Sequence, residues 1–196
     1  MPHKLRFAVI GSGGFAETCH IPGLQRHPNA EVVALCRRNR DLCAQMAQKF
    51  NVPKIYTDAV ALIADAEIDG VTIATPNVFH HPIAVQALKA GKHVFCEKPL
   101  AMNASEAREM YDVAESSGKI HHVAFTFRYT HCLYQMRDML RQGQIGVPFF
   151  VRIQADGWGG LRTAAKAAWR NQSSLSGTGI LGDMGSHFFD LIRWLC

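Results

Sequence analysis

The sequence lacks the features that would indicate a membrane protein or a disulfide-stabilised secreted fold. No stretch of its 196 residues approaches the roughly 20 consecutive apolar residues that a membrane-spanning helix needs. Met1 to Arg6 shows no signal-peptide pattern and leads directly into an apolar run. The six cysteines form no C-x-x-C pair, and Cys36 and Cys96 fall in predicted buried strands, so they are interpreted as reduced thiols. These absences predict a cytoplasmic protein that does not contact a membrane.

Basic charge is too thinly spread to indicate a nucleic-acid surface. The chain has 21 basic and 16 acidic residues and a formal net charge of +5, but its one dense basic run is Arg37-Arg38-Asn39-Arg40. The composition, 48% hydrophobic and 19% charged, is typical of a globular protein long enough for one full domain and part of another.

Apolar runs with the character of strands recur through the first 125 residues. They lie at Leu5–Ile10, Glu31–Cys36, Gly70–Ala74, His93–Cys96 and His121–Phe125. Segments with helical spacing separate them, as between Pro82 and Gly91 and before Gly118. This alternation is typical of a parallel sheet covered by helices. It predicts a doubly wound, Rossmann-type α/β domain over residues 1–125.

The pattern changes in residues 126–196. A helical stretch at Leu133–Gln142 precedes Phe149–Ala155, where apolar and mostly polar residues alternate. One packed face and one polar face are typical of antiparallel strands, so a second sheet, and hence a second domain, is expected here. The chain stops at Cys196 inside an apolar helical pattern without a capping glycine.

A glycine-rich segment follows the first predicted strand directly. Gly11-Ser12-Gly13-Gly14-Phe15-Ala16 has the form G-x-G-x-x-A and lies where a helix should begin. Gly11 would permit a tight turn, Gly13 would let the backbone approach a pyrophosphate, and Ala16 would allow close helix–strand packing. The helix N-terminus would attract the anion. A glycine cluster alone often marks only a turn, but its place between strand and helix predicts dinucleotide binding.

Two arginines follow the second predicted strand. Arg37 stands where an NAD-type site has an acid that accepts hydrogen bonds from the ribose hydroxyls, and Arg38 comes next. An arginine cannot accept those bonds but can pair with a 2′-phosphate, so the pair favours NADP over NAD. The alternative is a solvated basic turn before the next helix.

Two more polar segments follow predicted strands. Thr75-Pro76-Asn77, with His80 shortly after, follows one strand, and Glu97-Lys98-Pro99 follows the next. Strand ends in an open α/β sheet border the ligand crevice, so these groups should converge there, with Lys98 facing a cofactor or substrate. Simpler accounts are an Asx-type helix cap for the first and a surface Lys-Pro turn for the second.

A last polar pattern lies near the C-terminal end of the sequence. On a helix, Asp183, His187 and Asp190 would share one face, beside an apolar face that packs inward. An imidazole there can titrate near neutral pH while a carboxylate steadies it. The alternative is a structural role, in which the aspartate caps the N-terminus of the helix and the hydrogen-bonding groups of the histidine are satisfied within the fold.

The histidine doublets do not indicate a metal site. His80-His81 and His121-His122 lack a metal-ligand spacing, so no metal is expected.

Taken in order, these motifs resemble the glucose–fructose oxidoreductase/inositol dehydrogenase/MocA family of dinucleotide-dependent dehydrogenases. The resemblance covers essentially the whole chain. It rests on the segments already described, on Gly91-Lys92-His93-Val94-Phe95-Cys96 before Glu97, and on Arg128, the pair Trp169-Arg170, and Gly182-Asp183-Met184-Gly185-Ser186-His187 with Asp190.

The resemblance implies a Rossmann domain followed by an α/β domain with an open, mostly antiparallel sheet, and a sugar, polyol or related substrate bound between the domains. A homo-oligomer is expected because the last helix and the strand around Phe149–Ala155 leave apolar faces without a partner. Lys98 would be the catalytic lysine, His187 the proton-transferring residue and Asp183 the group that orients the site. Glu97 and Asn77 would help to hold NADP or NAD. Arg128, Trp169 and Arg170 would also bind the cofactor.

Because members of the family continue through further strands, the second domain is expected to be incomplete at Cys196. A second hypothesis is therefore a dinucleotide-binding sensor that does not turn over substrate, or an inactive fragment. Lys98 and His187 argue against a pure sensor, which has no need of both residues.

Overall fold

The computed structural model describes residues 4–155, 169, 172–179 and 181–196. The chain divides into two compact units, Met1–Val123 and Ala124–Cys196, which are described separately. Arg170, one of the predicted site residues, lies outside the described residues. None of the described helices is long and apolar enough to cross a membrane.

The first unit is built on one six-stranded parallel sheet. Its strands are β1 (Leu5–Ile10), β2 (Ala30–Cys36), β3 (Lys54–Tyr56), β4 (Gly70–Ile73), β5 (His93–Cys96) and β6 (His121–Val123). Their order is β3-β2-β1-β4-β5-β6, and every neighbouring pair is parallel. The predicted Rossmann-type parallel sheet is therefore confirmed.

Helices cover the two faces of this sheet. They are α1 (Ile21–Arg26), α2 (Arg40–Phe50), α3 (Ala59–Ile63), α4 (His80–Lys89) and α5 (Ala104–Ser117), and a π-helical segment, Ala16–His20, precedes α1. Local sequence sets their ends. The Asn103 side chain accepts a hydrogen bond from the Glu106 amide at the start of α5, and Gly118 ends the helix at a φ of 63°.

The core lies on both faces of the sheet, and the central strand β4 is buried along its whole length. Every residue of β4 is buried, as expected for a strand covered on both faces. One core cluster packs α4 and α5 against one face, and the other packs α1 and α2 against the opposite face. The strand order reverses between β1 and β4, and ligands of such sheets bind in the crevice at that point.

The regular elements described in the second unit are all helical. It contains a 3₁₀ turn (Thr126–Tyr129), α6 (His131–Arg141), α7 (Ser173–Ser176), a π-helical segment (Leu181–Gly185) and α8 (Ser186–Leu195). The helix predicted at Leu133–Gln142 is confirmed as α6. Asp183 lies in the π-helical segment, whereas His187 and Asp190 lie on α8, so these three residues do not share one regular helix.

The strand predicted at Phe149–Ala155 is not shown in the described structure. These residues form no strand, and Phe149 is fully exposed. The reason is pairing. An isolated strand is not stable, and the described residues of the second unit contain no other strand to bond with it. The expected antiparallel sheet is thus not shown.

Candidate functional site

The loop after β1 has a backbone that only glycine fits. Gly11 has a φ of +90°, and a Cβ at this position would lie 2.5 Å from the Ala74 carbonyl oxygen. The loop therefore passes directly against the end of β4. A Cβ at Gly13 or Gly14 would meet no atom within 4 Å, so the space over these two residues is open.

The start of the next helical segment packs tightly below this open space. Ala16 is 1% exposed, which places the segment close to β1, while the neighbouring Phe15 is exposed. The Gly13 amide donates to the Gly11 carbonyl at 2.8 Å, and the Glu17 amide donates to the Gly13 carbonyl. A compact turn with open backbone above it is the geometry that lets an anionic group approach main-chain amides.

The arginines after β2 lie beside the same loop. The half-buried Arg37 donates from Nη1 to the Ser12 carbonyl oxygen at 3.0 Å. Arg38 is exposed, and its guanidinium lies 5.7 Å from the centre of the Phe79 ring. Arg37 thus braces the glycine loop, and both arginines place positive charge at this edge of the sheet.

His80 joins the loops that follow β4 and β5. The ring is fully buried; Nε2 lies 2.9 Å from the Thr75 carbonyl oxygen and Nδ1 lies 2.8 Å from the Pro99 carbonyl oxygen. Burial lowers the pKa of His80, while the two carbonyl contacts favour the protonated ring. The Lys98–Pro99 peptide bond is cis.

Polar groups in the loop after β4 are buried at this edge. Asn77 is 2% exposed. Among the described residues, the buried hydroxyl oxygen of Thr75 has no hydrogen-bond partner. A buried hydroxyl without a partner is costly in an isolated protein, and a ligand group can supply the missing bond. Together with the open glycine loop, this hydroxyl makes the edge fit a polar, anionic cofactor.

The carboxylate of Glu97 is held by a residue that sequence reasoning missed. His20 Nε2 lies 2.8 Å from Glu97 Oε1, and the two side chains are only 8% and 12% exposed. The Lys98 amide donates to the other carboxylate oxygen at 3.2 Å, and Lys98 itself is half-buried. The sequence offers one indication of this role, because His20 lies at the end of the helical segment that begins at the glycine loop.

A second group of predicted residues lies in the second unit. His187 is 4% exposed, and its ring stacks on Phe127 with centroids 4.1 Å apart and planes 12° apart. Arg128 forms a two-pronged ion pair with Asp190, in which Nε donates to Oδ2 at 2.7 Å. Asp183 and Trp169 are half-buried.

The predicted residues therefore form two groups. The first unit brings together the residues that follow β1, β2, β4 and β5, namely Gly11, Gly13, Gly14, Phe15, Ala16, Arg37, Arg38, Thr75, Pro76, Asn77, His80, Glu97 and Lys98. The second unit holds Arg128, Trp169, Asp183 and His187.

Comparison with protein families gives two matches along the chain. Residues 5–125 match the model of the GFO/IDH/MocA oxidoreductase family, described as an NAD-binding Rossmann fold. Residues 133–196 match the model of a GFO/IDH/MocA C-terminal domain.

Curated proteins with similar sequences include two sugar dehydrogenases. Levoglucosan dehydrogenase of Pseudarthrobacter phenanthrenivorans is 36% identical over 169 residues, which cover 86% of this chain and 43% of that protein. D-glucoside 3-dehydrogenase of Escherichia coli is 32% identical over 193 residues, which cover 97% of this chain and 54% of that protein. The chain thus spans about half the length of the curated relatives it matches.

Solved structures show the same similarity. A levoglucosan dehydrogenase in complex with NADH and levoglucosan has a TM-score of 0.85 at 32% identity, over 98% of this chain and 54% of that one. An NAD-binding oxidoreductase from Klebsiella pneumoniae has a TM-score of 0.84 at 30% identity, over 98% and 53% of the two chains.

Proposed function

Because the chain belongs to the GFO/IDH/MocA oxidoreductase family, whose Rossmann fold binds NAD, we propose that it is a dehydrogenase or reductase acting on a sugar, polyol or related hydroxyl or carbonyl compound. The observation that carries the proposal is the glycine loop. Gly11 lies against the end of β4 with open space over Gly13 and Gly14, at the switch point of a parallel sheet.

Groups at this edge would hold the cofactor. The amides of the glycine loop, through Gly14, Phe15 and Ala16, would bind the pyrophosphate. Thr75, Pro76 and Asn77 would line the crevice at the end of β4, where the Thr75 hydroxyl lacks a partner among the described residues. His80 would keep this loop and the loop after β5 together through its two carbonyl contacts.

The chain's own residues would then handle the proton and the charge on oxygen. When bound, the nicotinamide supplies or accepts the hydride. Lys98 stabilises negative charge on the substrate oxygen, and His187 takes or gives the hydroxyl proton. Asp183 orients the site. Glu97 holds the cofactor, and its carboxylate is fixed by His20. Family resemblance adds Trp169 and Arg170 to this site.

We also propose a preference for NADP over NAD. Arg37 and Arg38 follow β2, where the 2′ position of the adenosine ribose is recognised in this fold. A charge-assisted hydrogen bond contributes about 1.5–3 kcal/mol, so the preference should be about tenfold or more. Calorimetric titration with NADPH and NADH tests it, and equal affinity or tighter NADH binding contradicts it.

Sugar dehydrogenases among the relatives support the substrate class. The test is to mix the protein with NADP or NAD and a panel of sugars and polyols that includes levoglucosan and a D-glucoside, and to follow the absorbance of the reduced nicotinamide. Lys98→Ala and His187→Ala should each lower kcat about 10²–10⁴-fold and leave cofactor affinity within a few-fold. Cofactor binding without turnover of any compound would favour the alternative, a dinucleotide-binding sensor or an inactive fragment.

We also propose that the chain self-associates and that its second unit contributes a strand to an antiparallel sheet. Phe149, Phe150 and Val147 are between 74% and 101% exposed, and an apolar surface of this kind favours association. The alternation along Phe149–Ala155 suits a strand that gains a partner. Sedimentation equilibrium and amide hydrogen exchange test both features: a monomer with unprotected amides over 149–155 contradicts them.

The free thiols of all six cysteines support a cytoplasmic location, which fractionation of the source cells would check.

A further inference from the structure

An arginine and an aspartate 62 positions apart connect two elements of the second unit. Arg128 lies in the 3₁₀ turn Thr126–Tyr129, and Asp190 lies on α8. Arg128 Nε donates to Asp190 Oδ2 at 2.7 Å, and Nη2 donates to Oδ1. The Asp190 side chain is only 8% exposed, and its hydrogen bonds raise the pKa of Arg128. A two-pronged pair with a nearly buried carboxylate sets both the distance and the angle between its partners.

The same two elements hold the ring of His187. His187 precedes Asp190 by three positions on α8, so the two side chains are neighbours on the helix surface. Phe127, the residue before Arg128, stacks on the imidazole with centroids 4.1 Å apart. Phe125 contacts the ring from its edge, with planes at 73° and centroids 6.1 Å apart. The ring is therefore oriented by the turn that Arg128 attaches to α8.

We propose that Arg128, through Asp190, is a positioning residue for His187 and not a cofactor ligand. The guanidinium presents two of its donors to Asp190, and this fork holds the turn at the place where Phe127 meets the imidazole. A misplacement of about 1 Å can lower the rate about 10²-fold, so an ion pair that fixes the orientation of a proton-transferring group affects catalysis. The proposal rests on the proposed role of His187, but the orientation of its ring can be measured without turnover.

The first arm of the test is the NMR signal of the His187 ring. Its resonances are assigned by their loss in His187→Gln, and stacking on Phe127 should displace them, a displacement that Phe127→Leu removes. Arg128→Gln should remove most of this displacement, and Arg128→Lys, which keeps the charge but not the fork, a smaller part. Arg193→Gln is the matched control, because Arg193 is exposed on the same helix. His187 resonances that respond equally to Arg128→Gln and Arg193→Gln would overturn the proposal.

The second arm separates positioning from cofactor binding. In Arg128→Gln, kcat should fall about 10–100-fold, whereas the dissociation constant for NADH and NADPH should stay within about twofold. Weaker cofactor binding together with unchanged His187 resonances would overturn the proposal and restore Arg128 as a cofactor ligand. If the unmodified protein shows no turnover, the proposed function fails, and the resonances together with the dissociation constants still decide the role of Arg128. Circular dichroism of Arg128→Lys checks that the fold persists.

Discussion

The imidazole of His20 and the carboxylate of Glu97 lie 2.8 Å apart, although 77 residues separate them in the sequence. Both side chains are nearly buried. The contact joins the helical segment that follows the glycine loop to the end of β5, and Glu97 immediately precedes Lys98. It thus connects the glycine-loop side of the first unit, which is proposed to bind the pyrophosphate, with the loop that carries Lys98, which is proposed to stabilise charge on the substrate oxygen.

Removing either partner of this pair should destabilise the first unit, because the other would be left buried without its bond. A double-mutant cycle of His20→Leu and Glu97→Gln should give a coupling free energy of about 1.5–3 kcal/mol in urea unfolding. The matched control is the exposed pair Arg108–Asp112, whose side chains are 73% and 55% exposed. Its coupling should be only about 0.3–0.5 kcal/mol. Similar couplings in the two cycles would contradict the role given to His20.

Two alanine substitutions in the glycine loop should separate folding from binding. Gly11→Ala should lower the free energy of unfolding by at least about 2 kcal/mol, because the new Cβ meets the Ala74 carbonyl oxygen at a φ of +90°. Gly13→Ala has free space for its Cβ, so stability should change by less than about 1 kcal/mol. Its affinity for NADH should nevertheless fall about tenfold or more, because the methyl group enters the open space where a pyrophosphate would approach. Unfolding curves and NADH fluorescence titrations measure the two effects, and unchanged NADH affinity in Gly13→Ala would place the cofactor elsewhere.

The two arginines after β2 should affect cofactor binding differently. Arg37 donates to the Ser12 carbonyl oxygen and so also orders the glycine loop, and Arg37→Ala should weaken both NADH and NADPH, the latter by about tenfold or more. Arg38 is exposed and has no such bond to the loop among the described contacts, so Arg38→Ala should weaken NADPH alone. Arg40 is also exposed and lies at the start of α2, so Arg40→Ala serves as the control. An unchanged ratio of the two affinities in the Arg37/Arg38 double variant would show that neither arginine contacts the 2′-phosphate.

The buried ring of His80 should make stability depend on pH. Burial lowers its pKa in the folded protein, so the folded state binds the proton less readily than the unfolded state, whose pKa is about 6.5. The stability that neutral His80 contributes is then fully present above about pH 6.5 and is lost as the pH falls toward the lowered folded value. Urea unfolding of the protein and of His80→Gln over this range should give a difference that shrinks with acid. A difference that grows with acid would mean that the ring is protonated and donates to both carbonyls.

Features that depend on neighbouring residues could be predicted from the sequence. The apolar runs predicted the parallel strands at Leu5–Ile10 and His93–Cys96 to the residue, because short, mainly apolar runs between turn residues are typical of strands. Gly118 was predicted to end α5, since a left-handed helix end favours glycine. The strand Lys54–Tyr56 was missed, because three residues are too few to carry a periodic pattern.

Features that depend on distant partners were decided only by the tertiary structure. Phe149–Ala155 has the alternation of a strand, but strand formation needs a neighbouring strand to bond with, and the described residues of the second unit contain none. The sequence alone placed candidate polar groups at strand ends and on the last helix. For the strand ends this was possible because parallel strands of one sheet have their carboxyl ends at the same edge. It could not assign Arg128 to Asp190 or His20 to Glu97, since partners 62 and 77 residues apart meet only through the packing of the whole unit.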